Sequence, residues 1–519
     1  MLSPILETNA GKVRGRVVDG VFDFRGLRYG ASTAGSARFL PPRRPEAWVG
    51  VHEAATWGPM SPQMRLREMA PPGRFPPSDL VIESDEPMDE DCLTLNLFTP
   101  EVDEGAKLPV MVWLHGGGFS QGTANLDLFD GGNLARTGRV VVVTVNHRLG
   151  LFGHLFLGDI GDDRYATSGN VGLLDLVLAL EWVRDNIEQF GGDPDNVTVF
   201  GQSGGNAKIS CLLAMPSAKG LIHKAILQSL GHWVYPNREE QTRRVLKVLD
   251  RLGLAPSDYG KLHDLTAEVL RTAQGVNPLG DLDLGPVIDG VTLFEQPHSL
   301  AGVQSSAAVP TILGCATEET MCFPQFGGDP CFEALTDEDV VTRMVPMAGE
   351  RAKECVDLYR SLYPEESPGY LWSKMTTDAI YFAQWAIPQA ERLLATTPNL
   401  PVYMYLMNWQ SPGFDGFYRA AHCVDLPFVF NNTDSDPVLG GTSPSAHTLG
   451  RVMSTAWANF AHTGDPNHNS MPYWPKYSPH SRDVMCFSAS TSCLKDPKSQ
   501  ELKFWSSVDM RPLSEQIAD

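Results

Sequence analysis

The sequence lacks an apolar run that could cross a membrane, because a membrane span needs roughly 18 consecutive apolar residues. Its compact apolar runs, such as residues 140–143, have only the length of a strand. Hydrophobic residues make up 42% of the chain and charged residues 20%, a mix that excludes an intrinsically disordered protein. We therefore expect a soluble, folded protein that has no membrane as a partner.

Positive charge is also scarce, since 41 lysine and arginine residues stand against 62 aspartate and glutamate residues, which gives a net charge of −21. A surface this acidic repels phosphate backbones and anionic lipid headgroups. The charge balance argues against nucleic acid as a partner, and it mildly disfavours polyanionic substrates.

The nine cysteines form no C-x-x-C pair, and those at positions 315, 322 and 331 lack the spacing of zinc ligands. The H-E-x-x-H zinc motif is missing too, because residues 52–56 read HEAAT. We therefore expect free thiols and neither a metal nor another cofactor. The amino terminus lacks the charged and apolar regions of a secretory signal, which predicts a reducing, cytoplasmic location.

Apolar runs of strand length alternate with segments of helical periodicity, and this alternation favours an α/β fold with a mostly parallel central sheet flanked by helices. Asn170 is placed to cap a long helix through residue 190, and a second helix is predicted from residue 204 to about 215. The predicted strands cover residues 108–114, 139–145, 197–200, 225–228, 310–314 and 401–406.

Two segments stand apart from this alternation. Residues 57–90 are rich in proline, methionine and acidic residues, which indicates a surface excursion at the rim of a site. Residues 335–400 are mostly helical in pattern, so we interpret them as an insertion or cap. No stretch has the composition of a linker, and we therefore expect residues 1–519 to form a single catalytic domain.

Residues 201–205 read GQSGG and match the pattern G-x-S-x-G between a predicted strand and a predicted helix. That context is typical of a nucleophile elbow, a turn so tight that small residues must flank the serine. The hydroxyl of Ser203 would then lie at a helix N-terminus, where backbone N–H groups favour an oxyanion. A glycine-rich turn in which Ser203 merely caps the helix is the alternative.

Residues 115–119 read HGGGF and follow the strand 108–114. Consecutive glycines allow backbone N–H groups to point into a cavity, which suits an oxyanion hole. Such a loop could also cradle a phosphate, but the chain has neither a G-x-x-x-x-G-K-[ST] sequence nor a dinucleotide fingerprint after a strand. A serine nucleophile further needs a base and an acid, and composition does not select one among 13 histidines.

Motifs along almost the whole chain, from about residue 6 to residue 480, resemble those of the type-B carboxylesterases, the family that includes the cholinesterases. They appear in the family's order: FRGLRY at 24–29, EDCLTLN at 90–96, HGGGF at 115–119, NHRLG at 146–150, FGGDP at 190–194, GQSGG at 201–205, GCATEE at 314–319, AAHCVDLPF at 420–428, WANFA at 457–461 and TGDP at 463–466.

The resemblance implies an α/β-hydrolase fold with helical insertions over the active site, and a serine esterase of bacterial type. It assigns Ser203 as nucleophile, His422 as base and Glu319 as acid, in the chain order of α/β-hydrolases. It implies an oxyanion hole formed by the N–H groups of Gly117, Gly118 and Gly204. The expected substrates are small, neutral and fairly apolar esters, hydrolysed through an acyl-enzyme.

Three carboxylates compete for the role of acid. Neighbours that leave a strand point in opposite directions, so only one of Glu318 and Glu319 can reach the imidazole. The family motif aligns its acid with Glu319 and places Glu318 where an exposed acidic residue is common. Asp425 follows His422 in the chain, so we expect it to be structural and to cap the turn before Leu426.

The chain departs from the family pattern at several positions. Gln202 stands where the family usually has Glu, and Gly204 where it usually has Ala. Because Cys92 is the first cysteine, the usual N-terminal disulfide cannot form. No tryptophan lies between Trp57 and Trp113, so the aromatic cation site of the cholinesterases is missing and a choline ester is disfavoured.

Other functions use the same machinery. An amide, carbamate or lactone hydrolase, or an acyltransferase, would show the same triad. A non-catalytic cholinesterase-like binding protein of the adhesion type is a more distant alternative, because such proteins typically lose the serine and this chain retains all three triad candidates. Nothing in the sequence predicts an oligomeric state.

Overall fold

A computed structural model describes residues 1–65, 84–229, 231, 233–274, 284–322, 329 and 331–509. The strands of this part are β1 Leu2–Thr8, β2 Gly11–Val18, β3 Val21–Arg28, β4 Val51–Glu53, β5 Thr94–Thr99, β6 Leu108–Leu114, β7 Val141–Val145, β8 Gly192–Gln202, β9 Lys224–Gln228, β10 Thr311–Ala316, β11 Val402–Met407, β12 Asp483–Phe487 and β13 Ser492–Lys495.

Along the chain, the α-helices of the same part lie between strands or after the last strand. They are α1 Gly132–Gly138, α2 Gly150–His154, α3 Val171–Asn186, α4 Gly204–Ala214, α5 Arg238–Arg251, α6 Ala267–Ala273, α7 Leu300–Ser305, α8 Asp337–Ala348, α9 Ala352–Leu362, α10 Pro368–Thr377, α11 Ile387–Thr396, α12 Leu426–Val429, α13 Pro444–Thr463 and α14 Ser499–Trp505. Within the described ranges, no helix is both long enough and apolar enough to span a bilayer.

The strands form one sheet in the order β1-β2-β3-β5-β7-β6-β8-β9-β10-β11-β12-β13, with β4 beside β2. The strands from β7 to β12 along this order pair in parallel, and antiparallel strands extend both ends. Every residue of β6 and β7 is buried, because helices cover both faces of a parallel sheet. The predicted α/β class is therefore confirmed.

The predicted strands are present, with different bounds in places. β8 begins at Gly192 rather than at residue 197, since Leu108 already pairs with Gly192 and the register then shifts before Val110. Asn170 occupies the N-cap of α3 as predicted, but its side chain makes no capping hydrogen bond. Its amide nitrogen instead donates to the carbonyl of Val287 at 2.8 Å.

The predicted rim and the predicted cap are described to different extents. Residues 335–400 consist mainly of α8 to α11 with a π-helix, Asp378–Ala386, between α10 and α11. Of the predicted rim 57–90, residues 66–83 lie outside the described residues. The roles of these segments as cap and rim stay predictions.

The carboxyl ends of three parallel strands of the sheet carry the candidate chemistry. β6 leads into the HGGGF loop, β8 into Ser203 and β10 toward Glu319. In parallel α/β sheets this edge is where ligands bind. The sheet topology therefore gathers segments that are far apart in the chain at one edge.

Candidate active site

Ser203 forms the turn between β8 and α4. Its φ of 57° and ψ of −123° lie in a region that non-glycine residues rarely occupy and that costs about 1–3 kcal/mol. The turn is held by two backbone hydrogen bonds, from Ser203 N to Gln228 O at 2.9 Å and from Ala207 N to Ser203 O at 3.1 Å. Ser203 is the least buried residue of the GQSGG segment, so its hydroxyl is the group that this strained turn presents.

The glycines around Ser203 are required by close backbone packing. A Cβ at Gly205 would overlap the carbonyl oxygen of Leu114 at the end of β6. A Cβ at Gly204 would lie 2.5 Å from the backbone nitrogen of Gly118. The HGGGF loop therefore lies directly against the first turn of α4, and the glycine at position 204 allows this approach.

Two carbonyl groups of the HGGGF loop, those of Gly116 and Gly117, accept hydrogen bonds from nearby residues, and these bonds set the direction of the loop's N–H groups. Gly116 O accepts from Nδ1 of His115 at 2.8 Å, and Gly117 O accepts from the backbone nitrogen of Gln121 at 3.0 Å. In a trans peptide the C=O and the next N–H point in opposite directions. The N–H groups of Gly117 and Gly118 therefore point away from these anchors, with φ values of 84° and 61° that suit glycine.

His422 and Glu319 are brought together across the active-site edge. Nδ1 of His422 hydrogen-bonds to Oε2 of Glu319, and the backbone N–H of His422 donates to Glu319 O at 3.3 Å. The other carboxylate oxygen of Glu319 accepts from the N–H of Ala316 at 2.6 Å. Both side chains are buried, so the carboxylate fixes the ring in one orientation.

The opposite nitrogen of His422 faces the nucleophile elbow. Its Nε2 lies 3.1 Å from the side-chain nitrogen of Gln202, the residue before Ser203. Glu319, His422 and Gln202 of the elbow are therefore in contact in that order. Sequence reasoning noted Gln202 only as a departure from the family, and the structure shows that it touches the candidate base.

The side chains of Glu318 and Glu319 have different partners, and Glu318 is not exposed. Its side chain is 2% exposed and forms an ion pair with Lys374 at 2.5 Å. Burial alone would raise the pKa of Glu318, but the Lys374 ammonium outweighs it and holds that pKa below its ordinary value. The expected surface position was wrong because residues of α10 cover this carboxylate.

Asp425 is interior and makes no capping hydrogen bond with its side chain. Its Oδ2 accepts from the side-chain amide of Gln228 and from the hydroxyl of Tyr405, both at 2.8 Å. Burial raises its pKa. Asp425 therefore supports the ends of β9 and β11, and the predicted turn cap is wrong.

Two aromatic rings that the sequence did not single out lie beside these groups. The ring of Tyr381, in the π-helix, has its centroid 6.0 Å from that of His422. Trp233 approaches the position where a Cβ at Gly118 would lie, at 3.8 Å. Both are remote in sequence from the residues they approach, so no local pattern could have found them. Two aromatic side chains therefore lie close to the candidate catalytic residues.

Among the described residues, no group of three or more His, Cys, Asp or Glu side chains could hold a metal ion. All nine cysteines lie in the described part of the chain and are free thiols. The site chemistry that its residues support is nucleophilic attack by a serine, assisted by a histidine and a carboxylate.

Comparison with known proteins identifies the family. A model described as the carboxylesterase family matches residues 2–505. The chain belongs to the carboxylesterase family. It is 34% identical over 513 residues to the para-nitrobenzyl esterase of Bacillus subtilis, covering 96% of this chain and 98% of that protein. It is 34% identical over 485 residues to the phenmedipham hydrolase of Pseudarthrobacter oxydans, covering 91% and 93%.

Solved carboxylesterase structures agree with this assignment. A Geobacillus stearothermophilus carboxylesterase superposes with a TM-score of 0.83 at 34% identity, covering 97% of this chain and 100% of that chain. A PNB esterase structure superposes with a TM-score of 0.78 at 32% identity. The predicted family and the predicted α/β-hydrolase fold are confirmed, and the chain is a carboxylesterase-type serine ester hydrolase.

Proposed function

We propose that this carboxylesterase cleaves carboxylic esters through an acyl-enzyme on Ser203. The observation that carries the proposal is the continuous arrangement of Glu319, His422 and the strained elbow. The imidazole of His422 takes the proton of the Ser203 hydroxyl as the oxygen attacks the acyl carbon, and returns it to the leaving alcohol. Water then attacks the acyl-enzyme with His422 again as base, and Glu319 stabilises the imidazolium throughout.

The oxyanion of each tetrahedral intermediate is bound by the N–H groups of Gly117, Gly118 and Gly204 in this proposal. The hydrogen-bonded carbonyls of the loop support it, because donors that are already oriented need no reorganisation when charge develops. The contact between Gly204 and Gly118 supports a shared site for donors from the loop and from the N-terminus of α4.

The covalent step is tested with Ser203→Ala and an organophosphate. The reagent should label the wild type once, on the Ser203 peptide. The Ala variant should lose several orders of magnitude in kcat, as triad deletions do. Ser210→Ala is the matched control, because this buried serine lies on the same helix and its hydroxyl donates to Asn206. Turnover near the wild-type rate in Ser203→Ala would refute the mechanism.

Neutral, fairly apolar esters are the proposed substrates. The aromatic rings of Trp233 and Tyr381 beside the site and the charge of −21 both favour them over anionic esters. A panel of p-nitrophenyl esters of increasing chain length tests this, and its carbamate and anilide members separate the alternatives. Carbamate hydrolysis is a second candidate, because the same serine, histidine and carboxylate would carry it out. A preference for dicarboxylate or quaternary ammonium esters would contradict the proposal.

The remaining features of the proposed enzyme concern its organisation. We propose one catalytic domain over residues 1–519, with 57–90 as rim and 335–400 as cap; the position of Tyr381 beside His422 supports the cap. The nine free cysteines support a reducing, cytoplasmic location. We also propose that the enzyme acts without nucleic acid, membrane, metal or cofactor. A chelator and a mild reductant should leave its turnover unchanged.

A further inference from the structure

Lys208 is a buried lysine on α4, the helix that begins directly after Ser203. Its side chain is 0% exposed, and its Nζ donates to the carbonyl oxygen of His115 at 2.8 Å. His115 is the first residue of the HGGGF loop. The lysine therefore connects the nucleophile helix to the base of the candidate oxyanion hole.

The surroundings of Lys208 do not neutralise its charge. Burial lowers its pKa to about 7. The titratable groups that face it from neighbouring elements are the imidazoles of His115, His147 and His154. Burial, reinforced by the lysine charge, lowers the pKa of all three, so the rings are neutral at ordinary pH.

A buried ammonium without a carboxylate costs stability, because it gives up its hydration without a compensating charge. A neutral donor could make the same hydrogen bond to the carbonyl oxygen of His115. The positive charge itself is therefore the feature that calls for an explanation, and it lies on the helix whose N-terminus faces the developing anion.

We propose that Lys208 is a positioning residue for the oxyanion hole. Its Nζ holds the His115 carbonyl, which anchors the loop that carries the N–H groups of Gly117 and Gly118. When it is protonated, the amine also places a positive charge behind the loop, where the low dielectric strengthens its attraction for the oxyanion. The proposal rests on the acyl-enzyme mechanism proposed above, and Lys208 exchanges no proton with the substrate.

Deprotonation of Lys208 should weaken this role without abolishing it. A neutral amine still donates to the His115 carbonyl, so the loop stays anchored while the charge is lost. The wild-type kcat/KM should therefore fall from a higher to a lower plateau as the pH rises through about 7 and beyond. The lower plateau should match an enzyme that keeps a neutral donor at this position.

The test compares Lys208→Met and Lys208→Gln with wild type. Lys224→Met is the control, because Lys224 is a partly buried lysine that likewise donates to a carbonyl, that of Ala461 at 2.9 Å. We would measure kcat and KM for p-nitrophenyl acetate from about pH 6 to about pH 10, and the affinity of a trifluoromethyl ketone, which mimics the tetrahedral oxyanion.

Loss of a direct oxyanion-hole donor costs about 10²–10³ in kcat, so an indirect contact should cost less. Lys208→Met should lose about 10- to 100-fold in kcat with KM within about twofold, and a similar factor in ketone affinity. Lys208→Gln should lose about tenfold at low pH, show no alkaline decline, and match the wild type at high pH. Lys224→Met should keep the wild-type profile.

Unchanged kcat and an unchanged pH profile in both Lys208 variants would overturn the proposal. A rise in KM alone would do so as well, because that would indicate ground-state binding. If Lys208→Met did not fold, the shape of the Lys208→Gln profile would decide. The mechanism itself is judged separately by Ser203→Ala, so its failure would not be mistaken for a failure at Lys208.

Discussion

The side-chain nitrogen of Gln202 lies 3.1 Å from Nε2 of His422, while the amide oxygen of Gln202 faces the thiol of Cys423 at 3.5 Å. An amide nitrogen can only donate, so Nε2 of His422 accepts and carries no proton in this state. The ring proton is then on Nδ1, where it is donated to Glu319. This is the tautomer that a general base requires, and Gln202 selects it together with Glu319.

The first prediction concerns Gln202→Glu, which restores the residue usual in the family. A carboxylate at position 202 would stabilise the charged imidazolium of His422. The ring in the variant should therefore stay protonated to a higher pH than the ring in wild type. The acid limb of kcat/KM should therefore move to higher pH in the variant. Gln202→Leu, which removes the amide without adding charge, is the control for lost packing. An acid limb that stayed in place in Gln202→Glu would contradict this account.

The second prediction separates the adjacent glutamates by activity. Glu319→Gln should lower kcat by about 10⁴, because an amide at this position can donate to Nδ1 and favours the wrong tautomer of His422. Glu318→Gln should stay within about tenfold of wild type, since its carboxylate faces Lys374 rather than the imidazole. Steady-state kinetics on one p-nitrophenyl ester compare the two. A reversed ranking, or a large loss confined to Asp425→Asn, would reassign the acid.

The third prediction concerns the stability of Glu318→Gln. Loss of the charged hydrogen bond to Lys374 should reduce the free energy of unfolding by about 2 kcal/mol at neutral pH. Because the folded-state pKa of Glu318 is depressed, its contribution is complete above the ordinary value of 4.5 and is lost as the pH falls through the folded value. Urea unfolding at several pH values should show wild type and variant converging in acid. A constant difference would argue against the ion pair.

Short-range patterns in the sequence were enough to predict the elbow, the glycine loop and the parallel strands, because each depends on residues adjacent in the chain. The pairing of Glu318 with Lys374 and of Lys208 with His115 was not predictable in this way. Both pairs join elements that only the folded sheet brings together. The prediction that Glu318 is exposed was wrong for this reason.

The fourth prediction concerns the approach of α4 to the oxyanion loop. Gly204→Ala would place a Cβ 2.5 Å from the backbone nitrogen of Gly118, so the loop must shift. Since the family usually carries alanine at this position, the loop can adjust to the added Cβ, and kcat should fall by no more than about tenfold with little change in KM. Gly260→Ala is the matched control, since a Cβ there meets nothing within 4 Å. A much larger loss of kcat in Gly204→Ala would show that the loop does not tolerate the shift.

The fifth prediction concerns the stability cost of the buried charge on Lys208. Its folded-state pKa of about 7 lies below the ordinary value of 10.5, so the unfolded chain binds more protons between these values. Stability of the wild type therefore rises with pH across that window as far as this group is concerned. Lys208→Met removes the charge, and it should unfold at higher denaturant concentration than wild type below about pH 7, with a gain of about 1–4 kcal/mol.

That gain should shrink as the pH rises from about 7 and vanish above 10.5, where the wild-type lysine is neutral in both states. Lys224→Met serves again as the control for removal of a partly buried lysine. A variant that is more stable yet slower would show that the fold accepts an expensive charge to orient its oxyanion hole, as strained active sites commonly do. A variant less stable than wild type at every pH would instead make Lys208 a structural residue, held in place by its bond to the His115 carbonyl.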